Sequence, residues 1–61
     1  MREVFIIVGH EQYETDRIIG VRWSEGKARA FLTKTREERP WRMDSYDIEV
    51  HNEQRLVRTI D

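Results

Sequence analysis

The chain has 61 residues, of which 38% are charged, and its formal net charge is −1. A chain of this length forms a single domain with a small core and marginal stability. It contains no cysteine, which excludes disulfides, thiolate metal sites and a cysteine nucleophile. The apolar run near the N-terminus has five residues, Val4 to Val8, too few for a signal peptide or a membrane span. We therefore expect a cytoplasmic protein without membrane contact.

The first part of the chain predicts a strand hairpin. Its first strand runs from Glu3 to His10 and is apolar on both faces, because side chains alternate along a strand. The polar segment Glu11–Asp16 follows as the hairpin loop, and Arg17–Trp23 form the second strand. One face of that strand carries Ile19, Val21 and Trp23, with Trp23 expected in the core, and the other carries Ile18, Gly20 and Arg22.

The period of the apolar positions changes at Ser24, where a helix is predicted to begin. Ser24 is a favourable N-cap, because its hydroxyl can accept a hydrogen bond from a free backbone N–H. Pro40 disfavours helical backbone at the residue before it, so the helix is expected to end near Glu38. The stripe that repeats at i, i+3, i+4 and i+7 consists of Ala28, Phe31, Leu32 and Thr35.

The last part of the chain alternates strictly from Tyr46 to His51, which predicts a half-buried strand. Arg55–Ile60 follow as a short fourth strand, or alternatively as a frayed tail. The fold class is therefore α+β: a small antiparallel β-β-α-β sheet, with a possible fourth strand and one helix on one face. The other face would show Phe5, Ile7 or their counterparts. Such an apolar patch usually marks an interaction surface, so we expect a homodimer or a protein partner, unless loops and Trp41 cover the patch.

With these residues placed, the chain resembles a small uncharacterised domain family of bacteria and their phages. The family pattern joins an apolar strand, a polar loop with His, Tyr and Glu, an Ile-Gly-Val strand, a Ser-x-x-Lys-Ala helix start and a Pro-Gly-aromatic turn. The resemblance implies a fold and no activity, and it favours a binding protein directed at a host or defence protein. The matching residues are Val4–Val8, His10-Glu11, Tyr13-Glu14, Ile18–Val21, Ser24, Lys27-Ala28, Pro40-Trp41, where the glycine is missing, and Tyr46–Val50.

Trp41 is the residue expected to contact such a partner. It lies in a polar segment stiffened by Pro40 and flanked by Arg39 and Arg42, and Trp and Arg are enriched in interface hot spots. The alternative is that Trp41 caps the small core. The leading hypothesis is a non-enzymatic protein-binding module, phage or prophage encoded, that occupies a surface of a host or defence protein.

The basic middle of the chain supports a second hypothesis. Residues 17–42 have a net charge of +5, whereas the segments before and after them each have −3. A nucleic-acid-associated regulator would use the basic helix face, with Trp41 as a stacking platform; a charged face turned to water is the simpler interpretation. The candidate residues are Lys27, Arg29, Lys34 and Arg36.

No motif in the sequence indicates catalysis, a metal or a cofactor. His10 and His51 are the two histidines, and if they met beside Glu11 or Glu49 they would form a metal or acid–base site, but no ligand spacing supports this. Asp47 and Glu49 alternate with apolar residues, as expected of a solvent-facing row. A row of carboxylates is also able to imitate a phosphate backbone and so block a nucleic-acid-binding protein.

Overall fold

The computed structural model describes residues 2–13, 15–38 and 43–60. These residues form four strands and one helix, in the order β1 (Val4–His10), β2 (Arg17–Arg22), α1 (Glu25–Glu38), β3 (Ser45–His51) and β4 (Leu56–Ile60). The strands make one antiparallel sheet in the order β2-β1-β3-β4, and the helix packs on one face of it. The predicted α+β class is confirmed, together with the fourth strand. In this part of the chain no helix is long and apolar enough to cross a membrane.

The core lies between the helix and the two central strands. Phe5 pairs with Val50 and Ile7 with Ile48, so these four side chains point to the same side of the sheet. All four are at most 5% exposed. The prediction that Phe5 and Ile7 stay uncovered is therefore wrong. Both faces of β1 are apolar, and the helix covers the face that pairs with the apolar set of β3.

The helix forms where its cap and its apolar stripe require it. The Ser24 hydroxyl accepts a hydrogen bond from the Lys27 backbone N–H at 3.3 Å, and the Ser24 carbonyl accepts one from Ala28 at 3.0 Å. Ala28, Leu32 and Thr35 are buried against the sheet, which places one side of the helix on the core. The predicted start of the helix is confirmed; the helix spans Glu25–Glu38, and the residues that would test its predicted end lie outside the described part of the chain.

An irregularity in β2 reverses part of its predicted pattern. Ile7 pairs with Gly20 and Val8 with Ile18, so Ile19 is an extra residue opposite β1. A bulge of this kind shifts the following side chains to the other face. Ile19 packs against the core, whereas Ile18 and Val21 lie on the opposite face. The predicted grouping of Ile19 with Val21 is therefore wrong.

A turn closed by Asn52 precedes β4 and brings the chain back beside β3. The Asn52 side-chain oxygen accepts hydrogen bonds from the backbone N–H groups of Gln54 and Arg55 at 2.8 and 2.9 Å. The Asn52 N–H donates to the Arg55 carbonyl at 3.0 Å. An Asn that binds its own downstream backbone closes a turn, and β4 then pairs with β3 from Leu56 to Ile60.

Candidate functional site

We call the sheet face away from the helix the open face. Residues that pair directly across an antiparallel sheet point to the same side, so the register assigns this face strand by strand. It carries an apolar part on β1 and β2 and a polar part on β3. Its members are Val4, Ile6, Val8 and His10 of β1, Ile18 and Val21 of β2, Asp47, Glu49 and His51 of β3, and Leu56 and Thr59 of β4.

The apolar part of the open face is most exposed at the sheet edges. Ile18 is 63% exposed and Val21 41%, both on the edge strand β2, and Leu56 on the other edge strand is 47% exposed. Val4 and Ile6 on β1 continue the apolar group of β2 and are half-buried, whereas the polar residues of β3 separate this group from Leu56. An exposed group of apolar side chains on one continuous face is typical of an interaction surface.

Two exposed aromatic side chains lie at opposite ends of the β1–β2 hairpin. Tyr13, in the loop, is 89% exposed, and Trp23, just after β2, is 73% exposed. The prediction of Trp23 in the core is wrong, because β2 ends at Arg22 and the chain turns there towards the helix cap. Aromatic residues at the surface are frequent anchors in protein interfaces.

His10 is the polar centre of the open face near the hairpin loop. Its Nδ1 lies 2.8 Å from Asp16 Oδ1 and its Nε2 lies 2.7 Å from Asp47 Oδ2. The hydrogen bonds to Asp16 and, second, to Asp47 raise the pKa of His10, and burial opposes this rise. A protonated ring donates from both nitrogens, so His10 links the hairpin loop to β3. Asp44 adds to this link, because its N–H donates to the His10 carbonyl at 2.8 Å.

The two histidines do not meet. His51 pairs with Val4 at one end of β1, and His10 lies at the other end, opposite Ser45. Six residues of strand separate them by about 20 Å. His51 instead contacts Glu49, with 2.9 Å between Nε2 and Oε1. Among the described residues no three His, Cys, Asp or Glu side chains form a group that could hold a metal ion.

The four basic helix residues proposed for nucleic acid do not share one face. Lys27 and Lys34 line a groove beside β2. Arg29 and Arg36 lie about 200° further round the helix. The Arg29 Nε forms an ion pair with Glu25 at 2.9 Å. The sequence already contained this division, since residues seven apart align on a helix and residues two apart do not.

The remaining predicted contacts lie outside the described part of the chain. They are Trp41, Arg39 and Arg42. The residues that sequence reasoning missed are Ile18, which the bulge turns outward, and Asp16, which the fold brings to His10. Neither stands out in the apolar pattern, because Ile18 depends on the bulge in the pairing of β2 with β1 and Asp16 on how the hairpin loop folds back to His10. No family model, no curated protein and no solved structure matches this chain.

Proposed function

We propose that the chain is a protein-binding module without enzymatic activity, and that the open face is its contact surface. The observation that carries this proposal is the exposed apolar edge formed by Ile18 and Val21, on the face that the helix leaves free. Full burial of such a side chain contributes about 1.5–3 kcal/mol. Because Ile18 is 63% and Val21 41% exposed, an interface that covers them gains roughly 0.6–2 kcal/mol from each. The resemblance to bacterial and phage domains favours a host or defence protein as the partner.

The size of the face limits how a partner binds. Four strands about 4.8 Å apart, with about six residues each at 3.3 Å, give an area of roughly 400 Å². A stable complex usually buries about 800 Å² on each partner. The contact therefore extends beyond the sheet, and Tyr13 and Trp23 at the two ends of the hairpin supply the neighbouring exposed area.

Charge favours a partner with a basic rim over a second copy of this chain. Asp47 and Glu49 form an acidic row beside the apolar part of the open face. Two-fold stacking of two open faces would place this row against its own copy or against the apolar strands of the other molecule. Both arrangements bury carboxylates that have only a histidine beside them, His10 on Asp47 and His51 on Glu49, and no Lys or Arg among the members of the open face, which is costly. We therefore propose a heterotypic complex in place of the expected homodimer.

The test is affinity capture from a bacterial lysate with matched variants. Val21→Asp places a charge in the apolar edge, and Thr33→Asp places the same charge on the exposed side of the helix. A partner retained by the wild type and by Thr33→Asp, and lost with Val21→Asp, supports the proposal. Retention by all three proteins contradicts it. Light scattering that shows a dimer dissociated by Val21→Asp would overturn the heterotypic part.

A further inference from the structure

A groove lies on the helix side of the sheet, away from the open face. We call it the helix groove. Its volume is about 460 Å³, and it runs between the helix and the edge strand β2. Ala30 leaves it open because its side chain is small. The other lining residues are Arg22 of β2 and Lys27, Phe31, Lys34, Thr35 and Glu38 of the helix.

The helix groove is positively charged, and the acidic residues of the described part of the chain do not pair with its cations. Arg22, Lys27 and Lys34 form no ion pair with any described residue. One Arg22 Nη1 donor is used, to the Val21 carbonyl at 2.7 Å; a guanidinium has five N–H donors. Glu38 supplies the one carboxylate among the described lining residues. The groove therefore attracts an anion.

A planar platform, a guanidinium backed by an aromatic ring, lies among these cations. The Arg22 guanidinium lies over the Phe31 ring, 4.4 Å from the ring centre, a cation–π arrangement. Phe31 reaches this position because Gly20 lies beneath it: a Cβ at Gly20 would be 2.8 Å from the ring. Nucleic-acid bases stack on both aromatic rings and guanidinium planes.

The spacing of the cations indicates a ligand with more than one charge. Lys27 and Lys34 are seven residues apart on one side of the helix, which separates them by about 10 Å along its axis. Two lysines at this spacing on one side of the helix can each contact a separate anionic group of one extended ligand. Cations spread along a groove beside an aromatic group are typical of single-strand binding.

We propose that the helix groove binds a short stretch of single-stranded nucleic acid. Lys27, Lys34 and Arg22 hold successive phosphates, and one base stacks on the outer face of the Arg22 guanidinium, whose inner face lies on the Phe31 ring. This site is independent of the proposed protein contact, because the two surfaces lie on opposite sides of the sheet. It also differs from the basic helix face expected from the sequence: Arg29 and Arg36 are absent from it, and Arg22 and Phe31 are added.

The experiment is fluorescence anisotropy with a labelled oligonucleotide of about eight thymidines. Three phosphate contacts on a single strand give a slope of about −2 in log affinity against log salt, so affinity falls roughly 20-fold between 50 and 200 mM salt. Lys27→Gln and Lys34→Gln each reduce the slope by about 0.7. The matched control is Arg29→Gln on the other side of the helix, which leaves binding unchanged.

Stacking is tested separately from charge. Arg22→Lys keeps the charge and removes the planar group, so affinity falls about fivefold or more while the salt slope is retained. Glu38→Gln removes a carboxylate from the groove and tightens binding.

The proposal is overturned if no binding occurs at 50 mM salt with up to about 100 µM protein, or if Lys27→Gln and Lys34→Gln bind as the wild type does. It is also overturned if polyglutamate or thymidine monophosphate competes as well as the unlabelled oligonucleotide.

Discussion

The link between the hairpin loop and β3 through His10 makes the stability of this protein depend on pH in a defined direction. Replacing His10 by Gln removes a ring that contacts Asp16 and Asp47 at 2.8 and 2.7 Å. Asp16 is well exposed and His10 partly so. Because exposed ion pairs contribute about 0.2–1 kcal/mol each, the substitution is expected to lower the free energy of unfolding by about 0.5–2 kcal/mol when the ring is protonated.

The direction in which stability changes with pH follows from the raised pKa of His10 in the folded chain. The stabilisation is fully present below the unfolded value of 6.5 and is lost as the pH rises through the folded pKa. The wild type is therefore expected to lose stability from pH 6 to pH 9 relative to His10→Gln. The two unfolding free energies should differ most near pH 6 and converge near pH 9.

Urea unfolding followed by circular dichroism at several pH values between 6 and 9 measures this difference. Asp16→Asn tests the same link from the other side, because the hydrogen bond to Asp16 is the largest cause of the raised pKa of His10. This variant should remove more than half of the pH-dependent part of the unfolding free energy. His51→Gln is the control, since His51 has one carboxylate contact, Glu49, and lies at the far end of β1. If the unfolding free energies of wild type and His10→Gln change in parallel with pH, protonation of His10 does not stabilise the fold.

Three further substitutions test the fold, each by urea unfolding. Ser24→Ala removes the cap hydroxyl that binds the Lys27 N–H and should cost about 1 kcal/mol. Ile48→Val deletes a methyl group from a fully buried side chain and should cost about 0.5–1.5 kcal/mol. Gly20→Ala places a Cβ 2.8 Å from the Phe31 ring and should cost about 1–3 kcal/mol, as overpacking does; equal stability of wild type and variant would show that the ring can move away freely.

The helix and β3 were predictable because each carries its own period. The apolar stripe of the helix and the alternation from Tyr46 to His51 are local patterns that tertiary packing leaves in place. The cap at Ser24 fixed where the helix begins. Such elements are readable from sequence because the signal and the structure span the same few residues.

Which side chains of β1 and β2 point towards the helix was not predictable, because the deciding contacts lie outside each strand. Both sides of β1 are apolar, so the choice of Phe5 over Ile6 for the core depends on its register with β3. In β2 one extra residue, Ile19, decides that Ile18 points away from the helix. A shift of one residue exchanges the two faces of a strand. The local sign of it is Gly20, since a glycine inside a strand often marks a bulge, but a glycine does not say which residue is the extra one.

The small net charge of the chain hides two surfaces of opposite sign. On the open face the carboxylates of Asp47 and Glu49 lie beside apolar side chains, whereas in the helix groove Lys27 and Lys34 lie beside Phe31. A sheet one layer thick separates the two, so a basic molecule would be drawn to one side and a polyanion to the other. Each set of charges acts on a ligand within about a Debye length of its own surface, where the opposite set on the far side of the sheet is screened more strongly. The overall pI near 6.1 is therefore a poor guide to which ligands this protein attracts, since the sign of the field depends on the side from which they approach.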